Sequence, residues 1–132
     1  MIFLIDAEVL IQGERKAVDL AAWLRSHGDD EVKLAAITVA ELRRSVERAT
    51  GIQRAKRQRL LERMLLPFEV VPYTDKAASE HAQLWAHVEA TGQHMSPHDM
   101  MLAATALECG AAIVTFNPQR FAAVPGLPAI RP

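Results

Sequence analysis

The stretch MIFLID, residues 1–6, determines how the rest of the sequence is interpreted. Five apolar residues in a row are typical of a strand that is buried on both faces, and the run ends at Asp6. Continuous apolar character, rather than alternation, favours parallel strands covered by helices on both sides. Further strands are predicted at Leu34–Ile37, Glu69–Tyr73, Ala111–Phe116 and, as a short one, Ala129–Ile130.

Helical patterns lie between the predicted strands. Apolar residues between Ala77 and Val88 recur at the spacing of a core-facing helix. A further helix is predicted at Pro97–Cys109, because Ser96 followed by proline suits a helix start and Gly110 suits the position after its end. Repeated strand–helix units with right-handed crossovers predict a three-layer α/β/α fold with a central parallel sheet of four to five strands. No linker or repeat divides residues 1–132, so a single domain is expected.

The composition is that of a soluble globular protein, with 50% hydrophobic and 23% charged residues. The lone Cys109 cannot form an internal disulfide, so a reducing compartment is expected. The opening apolar run is too short for a signal peptide or a membrane span, and no other run approaches about 18 residues. We therefore expect a cytoplasmic protein that does not associate with membranes.

Charge is distributed unevenly along the chain. The segment from Arg43 to Arg63 holds eight basic and two acidic residues, so it carries +6 and the remainder carries −7. A basic region in an otherwise acidic chain indicates a local surface for a polyanion. A solvated helix face is the alternative, and the charge pattern alone favours this simpler interpretation.

Four polar residues are predicted at the carboxyl ends of the strands, where open parallel sheets bind their ligands. They are Asp6, Glu41, Asp99 and Asn117. Each also has a structural explanation. Asp6 and Asn117 have the position of helix caps, and Asp99 is an acid favoured in a first helical turn. Thr38 and Glu41 have the spacing of a capping box. Viewed singly, capping is the simpler interpretation of each residue.

Taken together, these side chains suggest a cation site, because three carboxylates converging on one edge of a sheet would repel one another. An oxygen-only cluster suits Mg²⁺ or Mn²⁺. Such an ion can activate a water, orient a phosphodiester and stabilise charge on the leaving oxygen. No cysteine or histidine pair has zinc spacing, so zinc is not expected.

Four segments resemble the PIN domain, and VapC-type toxins in particular. Residues 3–10 (FLIDAEVL) resemble the family's opening hydrophobic-Asp-Thr-Asn-Val-Leu, and residues 36–42 (AITVAEL) resemble its Ile-Thr-x-x-Glu-Leu. Residues 96–104 (SPHDMMLAA) are similar to its Pro-x-Asp-x-x-Ile-Ala-Ala helix. Residues 114–127 resemble its Val-Thr-x-Asn/Asp…Phe…Val-x-Gly-Leu end. The segments follow in family order over nearly the whole chain.

By this resemblance, Asp6, Glu41 and Asp99 are the acidic metal-site residues, and Asn117 occupies the fourth catalytic position. The implied activity is that of a Mg²⁺- or Mn²⁺-dependent endoribonuclease, in which a metal-activated water cleaves RNA phosphodiester bonds. The implied role is that of the toxin in a type II, VapBC-like toxin–antitoxin pair. The implied partners are an RNA substrate, a VapB-type antitoxin and a second copy of the chain in a homodimer.

Two other hypotheses remain open. The family's Asp-Thr-Asn is Asp6-Ala7-Glu8 here, which motivates a catalytically weak PIN-like module that acts by binding antitoxin or RNA. The other hypothesis is a phosphoryl-transfer domain with Asp6 as the nucleophile. Enzymes of that kind usually need a late lysine, and no lysine follows Lys76.

Overall fold

The structure, a computed structural model, describes residues 1–132 and contains five strands, six α-helices and one short 3-10 helix. The strands are β1 (Ile2–Ile5), β2 (Glu31–Ala35), β3 (Glu69–Val71), β4 (Ala112–Val114) and β5 (Ala129–Ile130). The α-helices are α1 (Ala7–Glu14), α2 (Leu20–Ser26), α3 (Ala36–Glu47), α4 (Gly51–Leu65), α5 (Asp75–Thr91) and α6 (Pro97–Cys109). The 3-10 helix is Pro118–Phe121.

All strand pairs in the sheet are parallel, and the strand order is β3-β2-β1-β4-β5. From the central strand β1, the chain passes outward to β2 and β3, then returns to the other side of β1 for β4 and β5. The direction of winding therefore reverses between β1 and β4. In open parallel sheets, the crevice at the carboxyl ends of such a strand pair is where ligands bind.

Two hydrophobic cores cover the two faces of this sheet. Leu4 of β1 joins the core built with α5 and α6, which includes Leu84 and Leu102. Its neighbours Phe3 and Ile5 join the core on the other face, with residues of α1, α3 and α4. Because successive residues of β1 point to opposite faces and both faces are covered, the strand is apolar throughout. The predicted three-layer α/β/α fold is confirmed, with five strands.

Several predicted strand bounds are wrong. The strand predicted at Glu69–Tyr73 ends at Val71, and the one predicted at Ala111–Phe116 is Ala112–Val114. The strand predicted at Leu34–Ile37 is β2 at Glu31–Ala35, because residues 31–33 pair with β1 and Lys33 pairs with β3 as well. Lys33 there lies 3.7 Å from Glu31 and 3.3 Å from Glu69 of β3, which supports a polar strand start.

The helix predicted at Pro97–Cys109 is confirmed at both ends. The Ser96 hydroxyl accepts a hydrogen bond from the Asp99 backbone N–H at 3.0 Å, and Gly110 takes the left-handed conformation at φ 69°. The capping box predicted at Thr38 is wrong. Strand β2 leads directly into α3, so Ala35 is the N-cap and Thr38 is buried inside the first turn. No helix of the structure is both long enough and apolar enough to cross a membrane.

Candidate active site at the carboxyl ends of β1 and β4

Asp6 follows β1 directly and is almost completely buried, with 3% of its surface exposed. Its Oδ1 accepts a hydrogen bond from the Ala7 backbone N–H at 3.0 Å, which caps α1 as the sequence suggested. Its Oδ2 accepts hydrogen bonds from the Thr115 hydroxyl at 2.9 Å and from the Arg120 guanidinium at 2.5 Å. A buried carboxylate requires such partners. Asp6 is therefore held in one orientation, facing the crevice between β1 and β4.

Asp99 lies in the first turn of α6 and reaches the same guanidinium from the other side. Both of its carboxylate oxygens accept from Arg120, one from Nη2 and the other from Nε at 3.2 Å. The guanidinium fork thus binds Asp99 in a bidentate manner while Nη1 contacts Asp6. The hydrogen bonds that Arg120 donates to Asp99, followed by the one it donates to Asp6, raise the pKa of Arg120 above its usual range although burial opposes the shift, so this side chain stays charged.

Arg120 is the functional-site residue that the sequence analysis missed. It lies in the 3-10 helix after β4, with its guanidinium carbon 5.1 Å from the ring centre of the buried Phe121. One signal in the sequence could have indicated it, since Arg120 is the only lysine or arginine between Lys76 and Arg131. Asp99 lies in that stretch of the chain, where Arg120 is the one lysine or arginine available to pair with it.

Glu41 projects from the middle of α3 into the same crevice. Burial and, next, the nearby Asp6 carboxylate raise the pKa of Glu41 above its usual value, while His98 and Arg120 oppose that shift. The Glu41 carboxylate takes part in no hydrogen bond or ion pair. It is therefore the one unpartnered acid among the three that the sequence predicted for a metal site.

Asn117 is placed close to these acids but does not join them. Its backbone N–H donates to the Thr115 hydroxyl at 3.2 Å, which ties the turn after β4 to the Asp6 network. Its side chain is exposed, forms no hydrogen bond and does not cap the 3-10 helix that follows. Asn117 therefore occupies the predicted N-cap position before Pro118, but its carboxamide makes no capping hydrogen bond.

An open cleft of about 420 Å³ gives solvent access to this group, and we call it the acid cleft. Asp6, Glu41 and Arg120 line it, together with His98 and Arg44. Glu8, the departure from the family pattern, lies at the rim. Its carboxylate is exposed and accepts a hydrogen bond from Gln12 at 2.6 Å, so it points along α1 instead of joining Asp6.

The basic segment predicted between Arg43 and Arg63 forms part of α3 and most of α4. We call its eight basic residues the basic surface. Three of its cations have partners within the chain: Arg54 with the Glu47 carboxylate at 3.1 Å, Arg57 with the backbone oxygen of Ser45 at 2.9 Å, and Arg63 with the Glu14 carboxylate at 3.8 Å. The other five are exposed and without a side-chain partner: Arg43, Arg44, Arg48, Lys56 and Arg59. The basic surface therefore keeps most of its charge for an external anion.

The donor chemistry of the acid cleft fits a hard divalent cation. Asp6, Glu41 and Asp99 offer only carboxylate oxygens, the ligands that Mg²⁺ and Mn²⁺ accept. In the observed arrangement, no group of three or more histidine, cysteine, aspartate or glutamate side chains is set out to hold a metal ion. Arg120 instead bridges two of the three carboxylates.

Comparison with known proteins gives the family. The model of the family described as PIN domain matches residues 3–127, which include all four predicted site residues. The chain therefore belongs to the PIN domain family, as the four sequence segments indicated.

Three similar proteins extend this finding. The chain is 33% identical over 115 residues to the VapC ribonuclease Y4jK of Sinorhizobium fredii, covering 84% of this chain and 81% of that protein. It is 29% identical over 124 residues to toxin FitB of Neisseria gonorrhoeae, covering 89% of each. A solved structure of VapBC-5 from Mycobacterium tuberculosis, a member of the VapBC family of toxin–antitoxin systems, superposes with a TM-score of 0.74 at 28% identity, covering 99% of this chain and 98% of that one.

Proposed function

We propose that this PIN-domain chain is the toxin of a type II, VapBC-like toxin–antitoxin pair and acts as an endoribonuclease. One observation carries the proposal: Asp6 after β1 and Asp99 at the start of α6 meet at one guanidinium, with Glu41 in the same cleft. Three acids gathered at the sheet's switch point suit phosphodiester chemistry better than capping. The ribonuclease and toxin named among the relatives support the activity and the role.

VapC-type PIN nucleases generally depend on a divalent metal, and we propose Mg²⁺ or Mn²⁺ for this chain. Asp6, Glu41 and Asp99 would hold the ion, and Asn117 would occupy the fourth position of the site. The bound metal would supply an activated water and stabilise the charge on the leaving oxygen.

The chain's own residues orient the acids for this chemistry. The Ala7 N–H and the Thr115 hydroxyl donate to opposite oxygens of Asp6, which fixes its carboxylate relative to the sheet. Glu41, with no hydrogen-bond partner, is free to accept a hydrogen bond from a water molecule in the cleft. The cleft is open to solvent, so an RNA strand can approach without a rearrangement of the sheet.

RNA binding is assigned to the basic surface. Arg44 belongs to this surface and also lines the acid cleft, so the unpaired cations lead to the carboxylates. Lysine and arginine side chains that neutralise phosphates supply most of the sequence-independent affinity for nucleic acid. A VapB-type antitoxin is the proposed protein partner, and an acidic segment of it would compete with RNA for the same cations. We further propose a single domain, a homodimer and a cytoplasmic location.

The test is cleavage of total RNA by the purified chain free of antitoxin, with Mn²⁺ and with a chelator. Glu41→Gln is the most informative variant, because Glu41 makes no hydrogen bond whose loss would disturb folding. Glu89→Gln on α5 is the control, since Glu89 is also a helical glutamate without a side-chain partner but lies on an exposed face away from the acid cleft. Asp6→Ala, checked for folding by circular dichroism, gives a second probe of the site.

We expect metal-dependent cutting by the wild type and by Glu89→Gln, and a loss of about 100-fold or more for Glu41→Gln, beyond the 10–100-fold typical of residues that only orient a metal ligand. Equal cutting by both glutamate variants would contradict the assigned site. A folded wild type that cuts no RNA at any metal concentration would favour the alternative of a catalytically weak binding module.

A further inference from the structure

The observation that carries the inference is the position of Arg120 in the middle of the acid cluster. Its guanidinium contacts both oxygens of Asp99 and one oxygen of Asp6, so three of its nitrogens are used on two carboxylates. Its side chain is 31% exposed, whereas those of Asp6 and Asp99 are 4% and 14% exposed. The cation is therefore the most exposed member of the group, and it lines the open cleft together with Asp6.

The guanidinium offsets the repulsion between the Asp6 and Asp99 carboxylates in the folded chain. Two largely buried carboxylates side by side would repel each other and would lack compensation for lost hydration. Bidentate, charge-assisted hydrogen bonds from an arginine provide both charge and geometry. Phe121, anchored in the core, supports the guanidinium from behind at 5.1 Å. The acid pair is thus kept in position without any external cation.

A divalent ion held by Asp6 and Asp99 would have to share them with this guanidinium. The two cations would contact the same oxygens and would repel each other strongly in a partly desolvated site. The Arg120 side chain is partly exposed and can turn into the cleft. Asp6 cannot, because it also accepts hydrogen bonds from Ala7 and Thr115. Of these side chains, Arg120 is therefore the one that would be displaced by a competing cation.

We propose that Arg120 is a built-in counter-ion of the acid cluster, which holds Asp6 and Asp99 in place before metal binding and must be displaced when a divalent cation binds. Competition between Arg120 and the cation then sets the metal concentration at which the site loads. The inference rests on the proposed metal site, and it concerns a residue that acts on the carboxylates and not on the substrate. Arg120 is accordingly a positioning residue.

The test compares Arg120→Gln with the wild type by two measurements that do not involve cleavage: the Kd for Mn²⁺ from titration calorimetry, and the Tm with and without Mn²⁺. We expect Arg120→Gln to have a lower Tm without metal, because the acid pair loses its counter-ion. We expect it to bind Mn²⁺ about 10-fold more tightly, because the competing charge-assisted hydrogen bonds are gone. The rise in Tm on adding Mn²⁺ is then larger than for the wild type.

Opposite effects on metal-free stability and on metal affinity separate this role from a merely structural one, in which loss of Arg120 would weaken both. Arg44→Gln is the matched control, since Arg44 lines the same cleft without an ion pair. Removing the Arg44 charge changes only the electrostatic potential in the cleft, so we expect at most about a 2-fold change in the Kd for Mn²⁺ at physiological salt. Arg120→Lys, which keeps the charge but loses the fork, should give a Kd between those of the wild type and Arg120→Gln.

An unchanged or weaker Kd for Arg120→Gln would overturn the inference. Asp99→Asn separates this failure from failure of the proposed function. If Asp99→Asn loses Mn²⁺ binding while Arg120→Gln binds Mn²⁺ no more tightly than the wild type, the result supports the metal site and contradicts the counter-ion role. If Asp99→Asn binds Mn²⁺ as the wild type does, the result contradicts the metal site and, with it, the inference.

Discussion

Helices α6 and α4 are attached to the molecule in different ways. Helix α6, which carries Asp99, buries six of its thirteen residues in the fold: Met100, Leu102, Ala103, Ala104, Thr105 and Ala106. Helix α4, which carries much of the basic surface, has fifteen residues and buries only Leu61. The start of α6 is capped by the Ser96 side chain, whereas Thr50 makes no side-chain bond at the start of α4.

The difference corresponds to the two tasks assigned to the helices. A carboxylate that shares a cation with Asp6 must be positioned within a fraction of an ångström, and close packing against the sheet provides that precision. A surface that binds the phosphates of a flexible strand needs charge more than precise placement. Segments with few buried apolar contacts are also the ones that open locally at low free energy. We therefore expect α4 to be the less stable helix.

The largest expected effect that tests this comparison is on folding. Leu102→Ala in α6 removes a side chain that is 2% exposed, and it should lower the free energy of unfolding by about 2–5 kcal/mol. Leu60→Ala in α4 removes a half-buried leucine and should cost about 1 kcal/mol or less. Urea denaturation at equilibrium measures both values. Equal losses would show that α4 is packed as firmly as α6.

The next effect is on RNA affinity, with Asp99→Asn as the background so that bound RNA stays intact. Replacing Lys56 and Arg59 with glutamine should reduce the slope of log K against log salt by about 1.4, which is the contribution of two phosphates on a single strand. Stability should change by less than about 0.5 kcal/mol, because both side chains are exposed and unpaired. Fluorescence anisotropy at several salt concentrations measures the slope.

The matched control replaces two exposed cations outside the basic surface, Arg25 and Lys76, in the same background. We expect their removal to leave the salt slope unchanged. A comparable reduction by both pairs would indicate that RNA responds to the overall charge of the protein and not to the basic surface.

The smallest expected effect concerns the two helix starts. Ser96→Ala removes a hydroxyl that accepts a backbone hydrogen bond at 3.0 Å, and it should cost about 1 kcal/mol. Thr50→Ala removes a side chain that forms no cap and should cost only a few tenths of that. Thermal unfolding distinguishes the two by the shift in Tm. A larger shift for Thr50→Ala would mean that α4 depends on its start more than the structure indicates.

The sequence predicted the parts of the fold that depend on local signals. The Pro97–Cys109 helix was found at both ends because its serine, proline and glycine act within a few residues of the helix. The capping box at Thr38 was wrong for the opposite reason. Its spacing is correct, but the connection from β2 to α3 has no loop, and only the sheet register determines where β2 ends.

The candidate site likewise has residues that the sequence predicts and one residue that it does not. The three acids could be predicted because the carboxyl ends of parallel strands converge, and the structure brings Asp6 and Asp99 to one guanidinium with Glu41 in the same cleft. Arg120 could not be predicted from a motif. Its approach to Asp6 depends on the turn after β4 and on Phe121 entering the core, which are features of the folded chain.

The measurement that tests the central claim most directly is single-turnover RNA cleavage in Mn²⁺ by Asp99→Asn beside Asp75→Asn. Both aspartates lie in the first turn of a helix, but only Asp99 reaches the acid cluster. The account predicts that Asp99→Asn loses cleavage by about 100-fold or more, while Asp75→Asn cuts as the wild type does. Wild-type cleavage by a folded Asp99→Asn protein would contradict the claim that these carboxylates form the nuclease centre.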